Sequence, residues 1–293
     1  VIAPRISVIV PHYNDPLRLK LCLAALAEQS LSPKEYEIIV ADNDSPQGKK
    51  ALDQIIAHRA TLVIVKTKGA GPARNGGVAK SRGEILAFTD CDCLPDRLWL
   101  EKGMKALDRF DIVGGRVKVR MEHGGPMNPA EAFETVFGFD NEDYVKSKGF
   151  TVTANLFCLR ADFDRVGPFQ SDISEDKEWC HRATGMGLKL GYAPDALVHH
   201  PPRRSWPELR TKFARIDRET YAWFLATRKH GRVKWLLRSF ALPLSIIPHG
   251  VKVMTTPRLR RSAQRFAALS MLARQRLWRF VNAWRLFLHE QRS

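Results

Sequence analysis

Acidic residues are scarce at one end of this sequence. Residues 203–293 hold four Asp/Glu against 21 Lys/Arg, a net of +17, whereas residues 1–202 hold 27 against 26, a net of −1. That imbalance excludes a tail neutralised by its own salt bridges and calls for an anionic partner. The same region carries five of the seven tryptophans (Trp206, Trp223, Trp235, Trp278, Trp284). Basic residues mixed with Trp, Phe and Leu suit an anionic membrane surface better than a solvated face, with nucleic acid as the rival reading. Cysteine is also sparse: Cys22, Cys91, Cys93, Cys158 and Cys180 are too scattered for a disulfide framework, so a reducing, cytosolic setting is expected. Long hydrophobic runs are missing. The longest uncharged apolar stretch, "SFALPLSIIPHGV", has 13 residues from Ser239 to Val251 and contains Pro243 and Pro248. It falls short of the ~20 residues that span a bilayer and reads as interfacial or re-entrant. No signal peptide is expected ahead of "ISVIVP", and a start at Val1 is compatible with trimming. "GAGPARNGGVAKSRGEI" has neither G-x-G-x-x-G spacing nor a G-K-[ST] ending, so the two nucleotide folds built on those loops are not expected.

What is present alternates strand and helix. "ISVIVP", "YEIIVADND", "TLVIVK" and "EILAFTD" are short, apolar, strand-like runs; "LRLKLCLAALAEQS", "LDQIIAHRA" and "GPARNGGVAKSRG" between them read as helices. This order predicts a mostly parallel sheet flanked by helices on both faces. Ligands in such sheets bind beyond the carboxyl ends of the strands. There the sequence puts Pro11, His12, Tyr13 and Asn14, then Asp42, Asn43 and Asp44, then Asp90 and Asp92. The middle third, from "DIVGGRVKV" to "YAPDALVHHPP", reads as short strands and glycine turns around one charged helix, "SEDKEWCHRATGMG", completing the same domain as its acceptor-binding half. The proline-rich "HHPPRRSWP" marks the boundary, giving a domain over 1–202 and a basic amphipathic helical region over 203–293.

Several motifs admit a chemical and a structural reading. Asp90 and Asp92 flank Cys91; in an extended stretch both carboxylates point the same way and suit Mg²⁺ or Mn²⁺, but a polar turn after a strand uses the same residues. Cys91 and Cys93 lack the partners of a zinc site and read as packing residues on the face opposite the carboxylates. Arg74 and Asn75 start a helix and face either a nucleotide or solvent. Glu175 and Asp176 follow Ser174 at a helix N-terminus, where acids also complement the helix dipole. His199 and His200 are metal ligands or a surface pair.

Taken together, "SVIVPHYND", "IIVADNDS", "GPARNGG", "GEILAFTDCDCLPDRLWL", "TANLFCLRADFDRVGPF" and "SEDKEWCHRATGMGLKLGYAPDALVHH" resemble, in this order, the motifs of the family 2 glycosyltransferases. The resemblance covers most of residues 6–202. It implies the Rossmann-like GT-A fold and an inverting, hexosyltransferase-type enzyme that uses a UDP-sugar and a divalent cation, Mn²⁺ or Mg²⁺. It further implies that Asp92 is the principal metal ligand with His200 a second, and that Asp90 lies near the ribose. Pro11, Tyr13, Asp42 and Arg74 would line the uracil and ribose pocket. Asp176 would be the general base, with Glu175 and Asn155 supporting it or meeting the acceptor, a glycan or lipid-linked molecule.

From Trp206 onward, arginine alternates with apolar residues at helical spacing. Such helices dock on a membrane or close on the catalytic domain or a second subunit, making a homo-oligomer. The expected location is cytoplasmic, at the inner face of the membrane. A nucleotidyltransferase of similar fold and a nucleic-acid-binding protein using the basic tail are the alternatives; the latter leaves the ordered motifs unexplained.

Overall fold

The run Ile6–His12 forms β1 and is buried along nearly its whole length, because a strand pairs with it on each side. In chain order follow α1 (Pro16–Ala27), β2 (Tyr36–Asp42), α2 (Gly48–Ile56), β3 (Thr61–Ile64), α3 (Ala70–Lys80) and β4 (Ile85–Phe88). Next come β5 (Leu94–Pro95), α4 (Trp99–Ala106), β6 (Ile112–Val119), α5 (Pro129–Phe137), α6 (Asn141–Lys148), β7 (Leu156–Leu159), α7 (Arg160–Val166), α8 (Glu175–Gly185) and β8 (Leu190–His200). Four helices complete the chain: α9 (Trp206–Thr227), α10 (Gly231–Leu244), α11 (Ile246–Thr255) and α12 (Ser262–His289). This computed structural model describes residues 3–57, 59–171 and 173–289.

The chain divides into two units. The first, Val1–Lys118 with Asp140–His200, holds the sheet, in the order β3-β2-β1-β4-β7-β6-β8-β5. β1 to β4 pair in parallel, β7 runs against both β4 and β6, and β5 runs against β8. Six of the eight strands therefore share one direction, as the alternating pattern predicted. Local signals set the elements: Asp15 caps α1 by accepting from the Arg18 N–H, and Pro16 supplies a first helical residue with its φ already fixed. α3 lies close on β1 because Gly77 carries no Cβ, which would collide with Ile9. Beneath the sheet, Phe88, Phe163, Phe169 and Trp179 pack ring to ring, with centroids 5.4–6.0 Å apart. The Trp179 indole N–H donates to the Gly167 carbonyl at 2.9 Å, so its burial leaves no donor unpaired.

The middle third departs from the expectation of one charged helix: α5, α6 and α7 lie there besides α8. Each has seven to nine residues, too short to show apolar periodicity and too short to be stable alone. Caps and packing hold them. α5 carries a full capping box between Asn128 and Glu131.

The second unit joins Val119–Phe139 to Pro201–Ser293. α5 supplies Phe133 and Val136 to a core with Leu209 of α9, Val253 of α11 and Met271 and Leu272 of α12. Beside it, the buried carboxylate of Glu134 accepts from Lys212 Nζ at 2.7 Å and from the Arg203 backbone N–H at 3.0 Å, with Arg203 Nη1 at 3.1 Å. "SFALPLSIIPHGV" is helical. Pro248 has no N–H to offer the Leu244 carbonyl, and the helix breaks at Ser245 into α10 and α11. Along that pair Val233, Leu237, Phe240, Leu244, Ile247, Val251 and Met254 recur every three or four residues and are all exposed. Among the described residues no helix is long and apolar enough to cross a membrane.

Candidate active site

The carboxyl ends of β1, β2 and β4 and the end of β8 bring the chemistry together in the first unit. Register puts Pro11 opposite Ala41 and His12 opposite Asp42. Asp42, 1% exposed, receives His12 Nδ1 at 2.7 Å and the Ser45 hydroxyl at 2.5 Å on Oδ1, and the Ser45 N–H at 2.8 Å on Oδ2. Since His12 Nε2 accepts from the Asp15 N–H at 3.1 Å, the proton sits on Nδ1 and points at Asp42. Asn43 fastens the neighbouring loops: its amide donates to the Val65 and Thr67 carbonyls at 2.8 and 2.7 Å, and its carbonyl accepts from the Gly69 N–H at 2.8 Å. Pro11 is partly exposed, and the Tyr13 side chain is open to solvent.

Arg74 on α3 is the hub. Nη2 meets Asp90 Oδ1 at 2.6 Å and Nη1 meets Glu175 Oε1 at 2.8 Å, while the buried Nε has no partner. Burial alone would lower the guanidinium pKa; Asp90 and Glu175 outweigh it and raise the pKa above its ordinary value. This ion pair ties the start of α8 to α3 across 101 residues of sequence and turns Glu175 inward. Asp176, next along α8, is partly exposed and is braced by the Lys177 N–H at 2.7 Å; it also acts on Arg74.

Asp90 and Asp92 do not lie on an extended stretch. The Cys93 N–H donates to the Asp90 carbonyl at 3.0 Å, closing a turn that sends Asp90 to Arg74 and Asp92 to His200. Asp92 Oδ2 lies 3.4 Å from His200 Nε2, and Asp92, Cys93 and His200 present ligand atoms all within 4.8 Å of one another. Cys93 is therefore not opposite the carboxylates, as expected: its sulfur lies 3.9 Å from Asp92 Oδ1. Burial, then the two aspartates, pushes the Cys91 and Cys93 thiols well up, so they stay protonated. A carboxylate oxygen beside an imidazole nitrogen fits a divalent ion that takes its other ligands from phosphate and water. Asn155 is fully buried. Its Oδ1 accepts from the Trp99 indole N–H at 2.9 Å, and Nδ2 donates to the Arg116 and Ala196 carbonyls, each at 2.9 Å. It fastens α4, β6 and β8 and so fixes the strand that ends in His200.

The sequence pattern named Asp42, Arg74, Asp90, Asp92, Glu175, Asp176 and His200: Asp42, Asp90, Asp92 and His200 lie at or just after strand ends and Glu175 and Asp176 at the start of α8, while Arg74 sits within α3 rather than at its start and reaches Asp90 and Glu175. It gave no role to His12 or Ser45, the partners of Asp42. Their one signal is position, directly after β1 and β2.

The sequence profile of glycosyl transferase family 2 matches residues 7–167. The chain belongs to this family. As a family 2 glycosyltransferase it is similar to glycosyltransferase AglE of Haloferax volcanii, 32% identical over 252 residues that make up 83% of this chain and 80% of that protein. A pre-mycofactocin glycosyltransferase of Mycobacterium tuberculosis is 27% identical over 214 residues, 69% of this chain; the match spans 44% of that longer protein. Among solved structures, the mannosyltransferase PcManGT of Pyrobaculum calidifontis, in complex with GDP-Man and Mn²⁺, superposes with a TM-score of 0.63 at 20% identity, covering 98% of this chain and 88% of that one. That likeness is one of fold, and the fold of this glycosyltransferase is GT-A. Asp176 and His200 lie beyond residues 7–167, which the family profile matches, and stand on their geometry.

Proposed function

We propose that this glycosyltransferase moves a sugar from a UDP-sugar to an acceptor hydroxyl with inversion at the anomeric carbon. The observation that carries the reading is the division of labour in the turn after β4: Asp90 fixes Arg74, leaving Asp92 to His200. Asp92 and His200 would hold a divalent ion, Mn²⁺ or Mg²⁺. Such an ion, when bound, neutralises charge on a departing diphosphate.

The remaining work belongs to the chain. Arg74, locked between Asp90 and Glu175, keeps its buried Nε–H without an acceptor, a donor for the nucleotide. Pro11 and Tyr13 line the base and ribose, on strand ends that the buried Asp42 fixes through His12 and Ser45 rather than meeting the base itself. Asp176, held by the Lys177 N–H, takes the proton of the acceptor hydroxyl as that oxygen attacks. Inversion needs one displacement, and one base suffices.

The acceptor is a glycan or a lipid-linked molecule met at the cytoplasmic face of the membrane. The exposed apolar stripe of α10 and α11 and the tail's net charge of +17 support docking there, since each basic residue near anionic lipid contributes about 1 kcal/mol. Co-sedimentation with anionic but not zwitterionic vesicles is expected; a soluble dimer that ignores both would assign the stripe to a second copy instead.

The deciding experiment is nucleotide release from a panel of UDP- and GDP-sugars with Mn²⁺ and a lipid extract, comparing wild type with Asp92→Asn and Asp176→Asn. Both substitutions should abolish release, and Asp176→Asn should leave donor binding intact. Release from a GDP-sugar alone would overturn the UDP assignment, and release of pyrophosphate would overturn transfer itself.

A further inference from the structure

In the helical unit one carboxylate serves three guanidiniums. Asp217 of α9 is fully buried: Oδ1 accepts from Arg279 Nε and Nη2 at 2.9 and 2.5 Å, and Oδ2 from Asn282 Nδ2 at 3.2 Å. It is committed to α12. Arg276, one turn earlier on α12, and Arg238 of α10 add two more positive charges to the same cluster. Among the described residues Asp217 is the one carboxylate that acts on either of them. Three positive charges face one negative.

The hydrogen bonding is as unbalanced as the charge. Arg238 Nη1, Arg276 Nε and the Trp284 indole Nε1 are buried atoms with no acceptor. A buried donor without a partner is disfavoured, and here three such donors belong to one pair of helices. Arg238 is steadied by the face of Trp235, 5.0 Å below it, rather than by an acid. Neither Arg238 nor Arg276 is sealed in, so the cluster opens to solvent. Burial, then the Arg279 and Arg238 charges, brings the Arg276 pKa down to about 10; burial, then Arg279, lowers that of Arg238. Both remain charged at neutral pH.

An anion with several oxygens would satisfy both the charge and the donors. A phosphate group matches the planar fork of arginine and accepts from several donors at once. Next to the cluster Phe240, Phe280 and Trp284 form a ring contact with centroids 5.6–6.3 Å apart, and Leu237, Leu277 and Val281 are exposed. Unpaired charged donors beside exposed apolar side chains suit an amphiphile. We propose that Arg238 and Arg276, backed by Arg279 and Trp284, bind a phosphate group between α10 and α12, with Phe240 and Phe280 taking an apolar chain attached to it.

The test uses the full chain with decyl phosphate below its micelle concentration, decanol and inorganic phosphate, read by tryptophan fluorescence and thermal unfolding. Decyl phosphate should bind saturably and raise the Tm. Arg238→Gln/Arg276→Gln should weaken it about 10-fold or more, while Lys234→Gln, an exposed control, should not. Without ligand the double variant should melt at or above the wild-type temperature, because it removes repulsion. A fall in its Tm would show that the arginines hold the fold and would overturn the site. Equal affinity for inorganic phosphate would keep the phosphate site and overturn the apolar chain. Equal binding of decanol, or unchanged decyl phosphate binding in the double variant, would overturn the proposal.

Discussion

Replacing Asn155 with aspartate exchanges an NH₂ for an oxygen and leaves the size unchanged. The retained oxygen still accepts from Trp99, but the new one faces the Arg116 and Ala196 carbonyls across what were two 2.9 Å hydrogen bonds. Protonation restores one donor; the carbonyl left unpaired costs about 1–3 kcal/mol. Ionisation is worse, because the position is fully buried, so the folded chain takes up a proton instead. At pH 7 that uptake lies about 3 pH units above the ordinary Asp pKa, at about 1.4 kcal/mol per unit, or about 4 kcal/mol. The variant should therefore lose about 5–7 kcal/mol at pH 7, a large share of the 5–15 kcal/mol typical of a folded protein. The sign follows from linkage. The folded pKa is raised, the folded state binds more protons, and stability falls as pH rises between the unfolded and folded values. Urea unfolding of both proteins, followed by tryptophan fluorescence at pH 7, 6 and 5, reads the difference. It should shrink by about 1.4 kcal/mol per unit of acidification. A deficit that is small at pH 7, or identical at all three values, would mean that water reaches Asn155.

Three further outcomes can be checked. His200→Gln should weaken Mn²⁺ binding, read directly by electron paramagnetic resonance, by at least the roughly 10–100-fold lost with even an outer-shell partner. Glu134→Gln leaves Lys212 buried without its carboxylate and should cost about 3–5 kcal/mol. Burial would raise the Glu134 pKa, but Lys212 and Arg203 hold it below the usual range. Its contribution is therefore complete above the ordinary Glu pKa and lost as pH falls through the lower folded value, so the variant should show a shallower acid limb in unfolding titrations. Gly115→Ala would drive a methyl group into both the Asn155 amide and the Ala196 carbonyl; destabilisation of about 3 kcal/mol or more by thermal melts is expected, and a neutral result would show that β6 can shift.

The parallel sheet and the polar residues at its strand ends were legible because each strand is a short apolar run followed at once by polar residues, a local pattern. Partners distant in sequence were not. Arg74 reads as a solvated helix residue until Glu175 arrives 101 positions later, and His12 reads as one more strand-end residue until Asp42 faces it. The Asp-Cys-Asp turn was hidden too, since two acids around one residue suit a strand or a turn equally. α5 escaped for another reason: the apolar residues it buries against α12 resemble those of any core-facing segment, and nothing in them names the partner.

That pairing of α5 with the last helix bears on how the chain is made. Synthesis proceeds from the N-terminus at about 5–20 residues per second, and 122 residues lie between the end of the Val119–Phe139 segment and the start of α12 at Ser262. For about 6–25 s the newborn chain carries Phe133 and Val136 without the helix whose Met271 and Leu272 share their core. A ribosome stalled in that window would display a sticky surface, and a chain released there could not bury it.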